Sequence, residues 1–178
     1  MEREIHGVTI ECVQGDIVRQ PDLDAIVNAA NAALMPGGGV AGAIHDAAGP
    51  GLQDECAPLA PIPPGEAVIT GGHELPNRHV IHCLGPVYGH DEPAAELLAA
   101  CYRRALQLAE QQGLRSVGFP AISTGAFGYP LEEAARVALA TVADQARGLR
   151  SVRRIRFVLF SGRDRDLHAR ILEQLPED

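Results

Sequence analysis

The sequence predicts a three-layer α/β fold with a mostly parallel or mixed sheet, and three observations carry that expectation. Short apolar runs alternate with amphipathic helical patterns along the chain. One run, Asp24 to Asn28, is almost continuously apolar, as a strand buried on both faces must be. Turn-forming Gly and Pro residues separate the runs, and no repeat or low-complexity linker divides the 178 residues, so a single domain spanning 1–178 is expected.

Taken in order, Val8 to Val13 reads as a strand closed by the turn Gly15-Asp16, and Asp24 to Asn28 as the second. Val40 to Ala48 has helical periodicity and is stopped by Gly49-Pro50. Pro58 to Pro64 reads as an ordered surface loop, and Ala67–Thr70 and His79–Leu84 as strands. Pro93 to Gln112 is a long amphipathic helix with Gly113 at its C-terminal end. Val117–Pro120 is a short strand, Pro130–Arg147 a helix, Ile155–Phe160 a strand and Asp164–Leu175 a closing helix. In such sheets ligands sit in loops at the carboxyl ends of the strands.

Composition narrows the chemistry. The formal net charge is −8, with 15 basic residues against 23 acidic, so the basic footprint of a duplex-DNA or anionic-membrane binder is missing. Every basic residue is Arg, which removes Walker-type phosphate loops and lysine Schiff-base enzymes. No apolar signal core or membrane-spanning stretch is visible, so a cytoplasmic location is expected. Cys12, Cys56, Cys83 and Cys101 contain no C-x-x-C pair and read as free buried thiols, with no metal site expected. Arg147, Arg150, Arg153, Arg154 and Arg156 could form a basic strip, but alternation places Arg154 and Arg156 on one strand face and favours a solvated edge.

Three loops after strands carry unusual residues. Asp16 could be a turn or cap residue, or accept a hydrogen bond from an exocyclic amine. Asn28 and Asn31 leave a buried strand, where amides either tie loops together or meet a polar ligand. The following Gly37 to Gly42 satisfies G-x-G-x-x-G literally, yet it starts nine residues after Asn28, so a dinucleotide fingerprint is weak. What survives is a glycine run entering a helix, which is either a flexible loop or a cradle of backbone N–H groups for phosphate. Ile122 to Pro130 repeats the pattern with Ser123, Thr124 and Gly125. Together the two loops suggest a diphosphate clamp built from main-chain amides in a chain without lysine. Phe127 and Tyr129 offer apolar surface for a sugar or base, or serve as core or lid residues.

Gly15-Asp16-Ile17, Ala25 to Asn31, Gly37 to Ile44, Ala47 to Pro50, Val80-Ile81-His82, Gly85-Pro86 and Phe119 to Pro130 resemble the macrodomain family, in the family's order and over most of the chain. The resemblance implies an α/β/α sandwich around a mixed, roughly six-stranded sheet, with a cleft for ADP-ribose. It matches Asp16 to the acidic residue that meets the adenine amino group, with Ile17 packed beside it and, more loosely, Phe160 nearby. It matches Asn31 to the asparagine at the distal ribose. Asn28, Gly38, Gly39, Val40 and Ala41, with Ser123, Thr124, Gly125, Ala126 and Phe127, complete the expected substrate contacts around the diphosphate and distal ribose. Catalysis, where it occurs, is expected to use Asn31 and Gly39, with a water held by the substrate phosphate and backbone amides.

One position departs from that pattern. Members of the MacroD-like branch usually carry an aspartate where this chain has Ala41. Asp46, five residues on, lies about 140° around the helix and cannot replace it. His45, at i+4, is nearer that face and could act as a base, although a structural role is favoured. The expected function is ADP-ribose binding with hydrolysis of ADP-ribosyl esters, either modified acidic side chains or O-acetyl-ADP-ribose, without a cofactor. The alternatives are a non-catalytic ADP-ribose reader, an RNA-binding domain and a dehydrogenase, the last disfavoured by the misplaced glycines. The partners expected are ADP-ribose or ADP-ribosylated protein, on a monomer.

Overall fold

In the computed structural model, which describes residues 1–176, a seven-stranded sheet lies between two helical layers. The strands are β1 (Glu2–Ile5), β2 (Val8–Gln14), β3 (Ala25–Ala29), β4 (Ala67–Gly71), β5 (His79–Cys83), β6 (Ser116–Phe119) and β7 (Arg154–Leu159). The helices are α1 (Gly39–Ala48), α2 (Pro50–Cys56), α3 (Ala94–Gln111), α4 (Leu131–Gln145) and α5 (Gly162–Gln174). Strand order is β1-β2-β7-β6-β3-β5-β4, with the outer pairs β1/β2 and β4/β5 antiparallel and the rest parallel.

The extra strand relative to the expected six is β1, whose sequence Glu-Arg-Glu-Ile is too polar to read as a strand. It survives at the sheet margin because only alternate side chains are partly covered and its charges blunt an open edge. A second unexpected element is α2. Gly49, at φ +82, does end α1, but Pro50 immediately opens a new helix at the position where a missing N–H costs nothing.

β3 behaves as its apolar run requires. Ala25 and Val27 face a core formed with α3, α4 and α5, while Ile26 faces a second core formed with α1 and α2. In the first core Tyr102, Phe119 and Phe157 form a ring cluster with centroids 5.0 to 6.1 Å apart. The four cysteines are free and buried.

This topology determines where a ligand can sit. After β3 the chain crosses to the α1 face, and after the neighbouring β6 it crosses to the α4 face. Two adjacent parallel strands whose connections leave in opposite directions open a crevice at their carboxyl ends. Among the described residues no helix is long and apolar enough to cross a membrane.

The arginine strip is not a solvated edge. β7 is an interior strand between β2 and β6. Arg154 and Arg156 do share a face, but there they meet the carboxylate of Glu11 on β2, at 3.1 and 2.7 Å. A strand with charges on one face reads as an edge from sequence alone; cross-strand pairing reverses that reading.

Candidate functional site

The crevice holds a cavity of about 370 Å³. Asn31, Gly38, Gly39, Val40 and Ala41 line one wall, and Ser123, Gly125, Ala126 and Phe127 the other. Gly85, from the loop after β5, closes the back.

The glycine wall is sterically specified. Gly39 has φ +58, a backbone region that side chains strongly disfavour. A Cβ on Gly42 would lie 2.3 Å from the Gly37 carbonyl oxygen, so the loop folds back on itself only with hydrogen there. The N-cap of α1 is Gly38, and no side chain caps the first turn. The first N–H groups of α1 therefore lack side-chain partners at the cavity, at the positive end of the helix dipole.

The opposite wall supplies a matching donor. Ser123 sits at φ +68 and is 6% exposed, and its Oγ has no hydrogen-bond partner. Gly85 gives it room: a Cβ there would lie 2.1 Å from that oxygen. Thr124 does not line the cavity; its hydroxyl donates to the Ala121 carbonyl at 2.8 Å and shapes the turn. Tyr129 is a core residue, 5% exposed and packed on Tyr88 with ring centroids 4.8 Å apart. Among the described residues no Arg, Asp or Glu lines the cavity.

The two asparagines separate. Asn31 reaches the cavity rim, with Oδ1 accepting from Met35 N–H at 3.0 Å and Nδ2 donating to Met35 O at 2.9 Å. One N–H and one lone pair of its amide remain for a ligand. Asn28 lies under the floor, 1% exposed, with Nδ2 donating to His82 Nδ1 at 3.0 Å. It holds β3 to β5 and does not reach the cavity, because inward and outward directions alternate along a strand.

His82 shares Nε2 with the Thr70 hydroxyl at 3.0 Å, and that hydroxyl donates to Gly71 O. Burial, and next the neighbouring His45, push the His82 pKa down to about 3. His45 is also buried and held neutral by desolvation, and both its ring nitrogens lack partners. It packs 6.4 Å from the His82 ring and does not line the cavity, while Asp46 faces solvent.

Asp16, Ile17 and Phe160 lie outside this cavity, at the ends of β2 and β7. Gly15 N–H donates to Leu159 O at 2.9 Å, which sets the Asp16 turn beside Phe160. Asp16 forms the turn expected of it, with Oδ1 accepting from Val18 N–H at 3.1 Å, and its side chain stays half exposed. Ile17 is buried in the second core, and Phe160 is 93% exposed, a large apolar side chain with nothing upon it. β7 adjoins β6, so this platform and the cavity lie side by side along one end of the sheet.

Sequence reasoning passed over Gly85, Ala121 and the Ala29-Ala30 floor as contacts. Only Gly85 carried a signal, as a glycine two residues past a buried strand. Among the described residues no cluster of His, Cys, Asp and Glu is placed to hold a metal ion.

Comparison with known proteins decides the family. Residues 27–138 match the Macro domain family model. The chain belongs to the macro domain family. It is 47% identical over 167 residues to a macro domain-containing protein of Chlorobaculum tepidum, covering 93% of this chain and 96% of that protein. It is also 47% identical over 174 residues to the O-acetyl-ADP-ribose deacetylase of Salmonella typhimurium, covering 95% and 97%. The solved Oceanobacillus iheyensis macrodomain with ADP superposes with a TM-score of 0.92 at 42% identity, over 97% of this chain and 94% of the other. The Trypanosoma brucei macrodomain in complex with ADP-ribose gives 0.83 at 39%, over 92% and 68%.

Proposed function

We propose that this macro domain binds ADP-ribose and hydrolyses ADP-ribosyl esters. The observation that carries the binding half is the pairing of the uncapped α1 N-terminus with the orphaned Ser123 hydroxyl across a cavity lined by no charged side chain. Main-chain N–H groups and one hydroxyl suit a diphosphate, whose charge the helix dipole favours. The half-exposed carboxylate of Asp16 then accepts the adenine amine, Ile17 supports the turn, and the bare ring of Phe160 covers the base. Gly38 to Ala41 and Ser123 to Phe127 enclose the diphosphate and distal ribose, and Asn31 fixes the ribose hydroxyls with the free half of its amide.

For turnover, water held between the substrate phosphate and the Gly39 amide attacks the ester carbonyl. Its proton passes to a phosphate oxygen and from there to the ribose oxygen as the ester C–O bond breaks, giving ADP-ribose with a free hydroxyl and a carboxylic acid. Positioning of this kind lowers barriers by several kcal/mol, up to about 7–11 in ideal intramolecular cases. The deacetylase name carried by the Salmonella relative supports an acyl ester as substrate.

A second reading, a binder without turnover, is favoured by Ala41, which leaves the cavity without a carboxylate. Release of ADP-ribose from a glutamate-linked mono-ADP-ribosylated protein separates the two. Release above the blank that Asn31→Ala abolishes supports the hydrolase. Bound ADP-ribose with no release supports the reader, and Ala41→Asp should then create turnover.

A further inference from the structure

We propose that Gln20, itself held by Arg156, is a positioning residue that aims Asp16 at the base and so sets adenine specificity. This rests on the reading that Asp16 meets the adenine amine.

The connection runs from the interior of the sheet to the site turn. Arg156 on β7 spends four of its five N–H groups: Nε donates to Glu11 at 2.7 Å, Nη1 to Gln20 Oε1 and to Asp22 Oδ1 at 2.9 Å each, and Nη2 to Asp22 Oδ2 at 2.7 Å. Fixing the amide oxygen of Gln20 leaves its nitrogen only one way to face. That nitrogen donates to the main-chain carbonyl of Asp16 at 2.9 Å. The same carbonyl accepts Arg19 N–H at 3.0 Å, so both lone pairs are held and the peptide plane between Asp16 and Ile17 is fixed. Gln20 is 9% exposed, and its main-chain carbonyl accepts from Asn77 Nδ2 at 2.8 Å and from Leu23 N–H, so the backbone that carries the side chain is fixed as well. A Cβ on Gly15 would lie 3.3 Å from Gln20 Nε2, which keeps the approach clear.

The amide is required because it both accepts and donates. A carboxylate can keep the Arg156 contact but can only accept, so it turns the Asp16 contact from attraction to repulsion. Gln20→Glu therefore separates the relay from stability. The experiment measures dissociation constants for ADP-ribose and for its deamino analogue, with hypoxanthine in place of adenine, together with Tm. Wild type should prefer adenine and Asp16→Ala should erase that preference. Gln20→Glu should hold Tm and lose about three- to tenfold of the preference, with binding of the deamino analogue changed less than about twofold. Gln20→Met, which neither donates nor accepts strongly, should behave alike and serves if the glutamate variant does not fold. Full preference in the Gln20 variants, or equal weakening of both ligands, overturns the proposal if Asp16→Ala has lost the preference. If Asp16→Ala keeps it, the adenine reading itself falls and takes the relay with it.

Discussion

The glycine wall at 37–41 and the turn at 15–23 sit at the same end of one sheet but are built from opposite materials. The first presents main-chain N–H groups, with Gly39 at a positive φ that side chains disfavour and, among the described residues, no Arg, Asp or Glu in its lining. The second is held by Arg156, Glu11, Asp22, Gln20 and Asn77. The Arg156 hydrogen bond is the main cause holding the Asp22 carboxyl below its ordinary value. The contrast teaches that this chain uses arginine to fix loops and leaves backbone dipoles open at the cavity, as the proposed diphosphate ligand requires. A guanidinium in the cavity would hold a diphosphate tightly but would also tie it to one ion pair; oriented amides bind it without side-chain reorganisation.

Breaking the wall should therefore cost more than breaking the turn. Gly39→Glu places a side chain at φ +58 and a carboxylate beside the diphosphate. It is expected to lower ADP-ribose affinity by about 3 kcal/mol or more, roughly a hundredfold, in calorimetric titration. Near-normal affinity would show that the glycine wall does not meet the phosphates. Asp16→Ala should cost about 1–3 kcal/mol of ADP-ribose affinity with the phosphate end intact. A folded variant binding as wild type would remove Asp16 from the site.

The same contrast explains what could be read in advance. Backbone-built features are written locally: the β3 run, the glycine loop and the 122–130 loop each show their role within a few residues, and the structure brings Asn31, Gly38 to Ala41 and Ser123 together at one cavity. Features built by pairing distant side chains are not. Arg156 meets Gln20 across 136 positions, and nothing near it in sequence tells a buried clamp from a solvated charge. Asn28 is a related case. Its type and place suit a ligand contact, but its direction depends on the β3–β5 register, which puts it opposite His82. β1 is illegible because three charged residues and a single isoleucine form a strand only where β2 offers an edge.

The neutral histidines under the floor allow the contrast to be sharpened by pH. Burial pushes the His82 pKa from its ordinary value near 6.5 down to about 3, and lowers His45 beside it and, against Phe157 in the other core, His168 too. Their folded pKa values lie below the unfolded one, so their contribution to stability is complete above about 6.5 and is lost as pH falls toward the folded values. Between pH 6 and 5 His82 should add up to about 1.4 kcal/mol per pH unit to the fall in unfolding free energy. His82→Gln should remove one histidine's share of that slope in urea titrations; an unchanged slope would mean His82 is not held neutral by the floor.

The smallest expected effect bears most directly on why the wall exists. Ser123→Ala deletes a buried hydroxyl that has no partner, so the free protein should melt no lower than wild type, because an unsatisfied group is removed along with it. ADP-ribose affinity should fall by about 0.5–1.5 kcal/mol, the worth of one hydrogen bond. The two readouts moving apart would mark the orphaned hydroxyl as kept for the ligand at a cost to the empty protein. A raised Tm with unchanged affinity would instead make it a by-product of the tight Gly85–Ser123 contact, and would leave the diphosphate to the α1 amides alone.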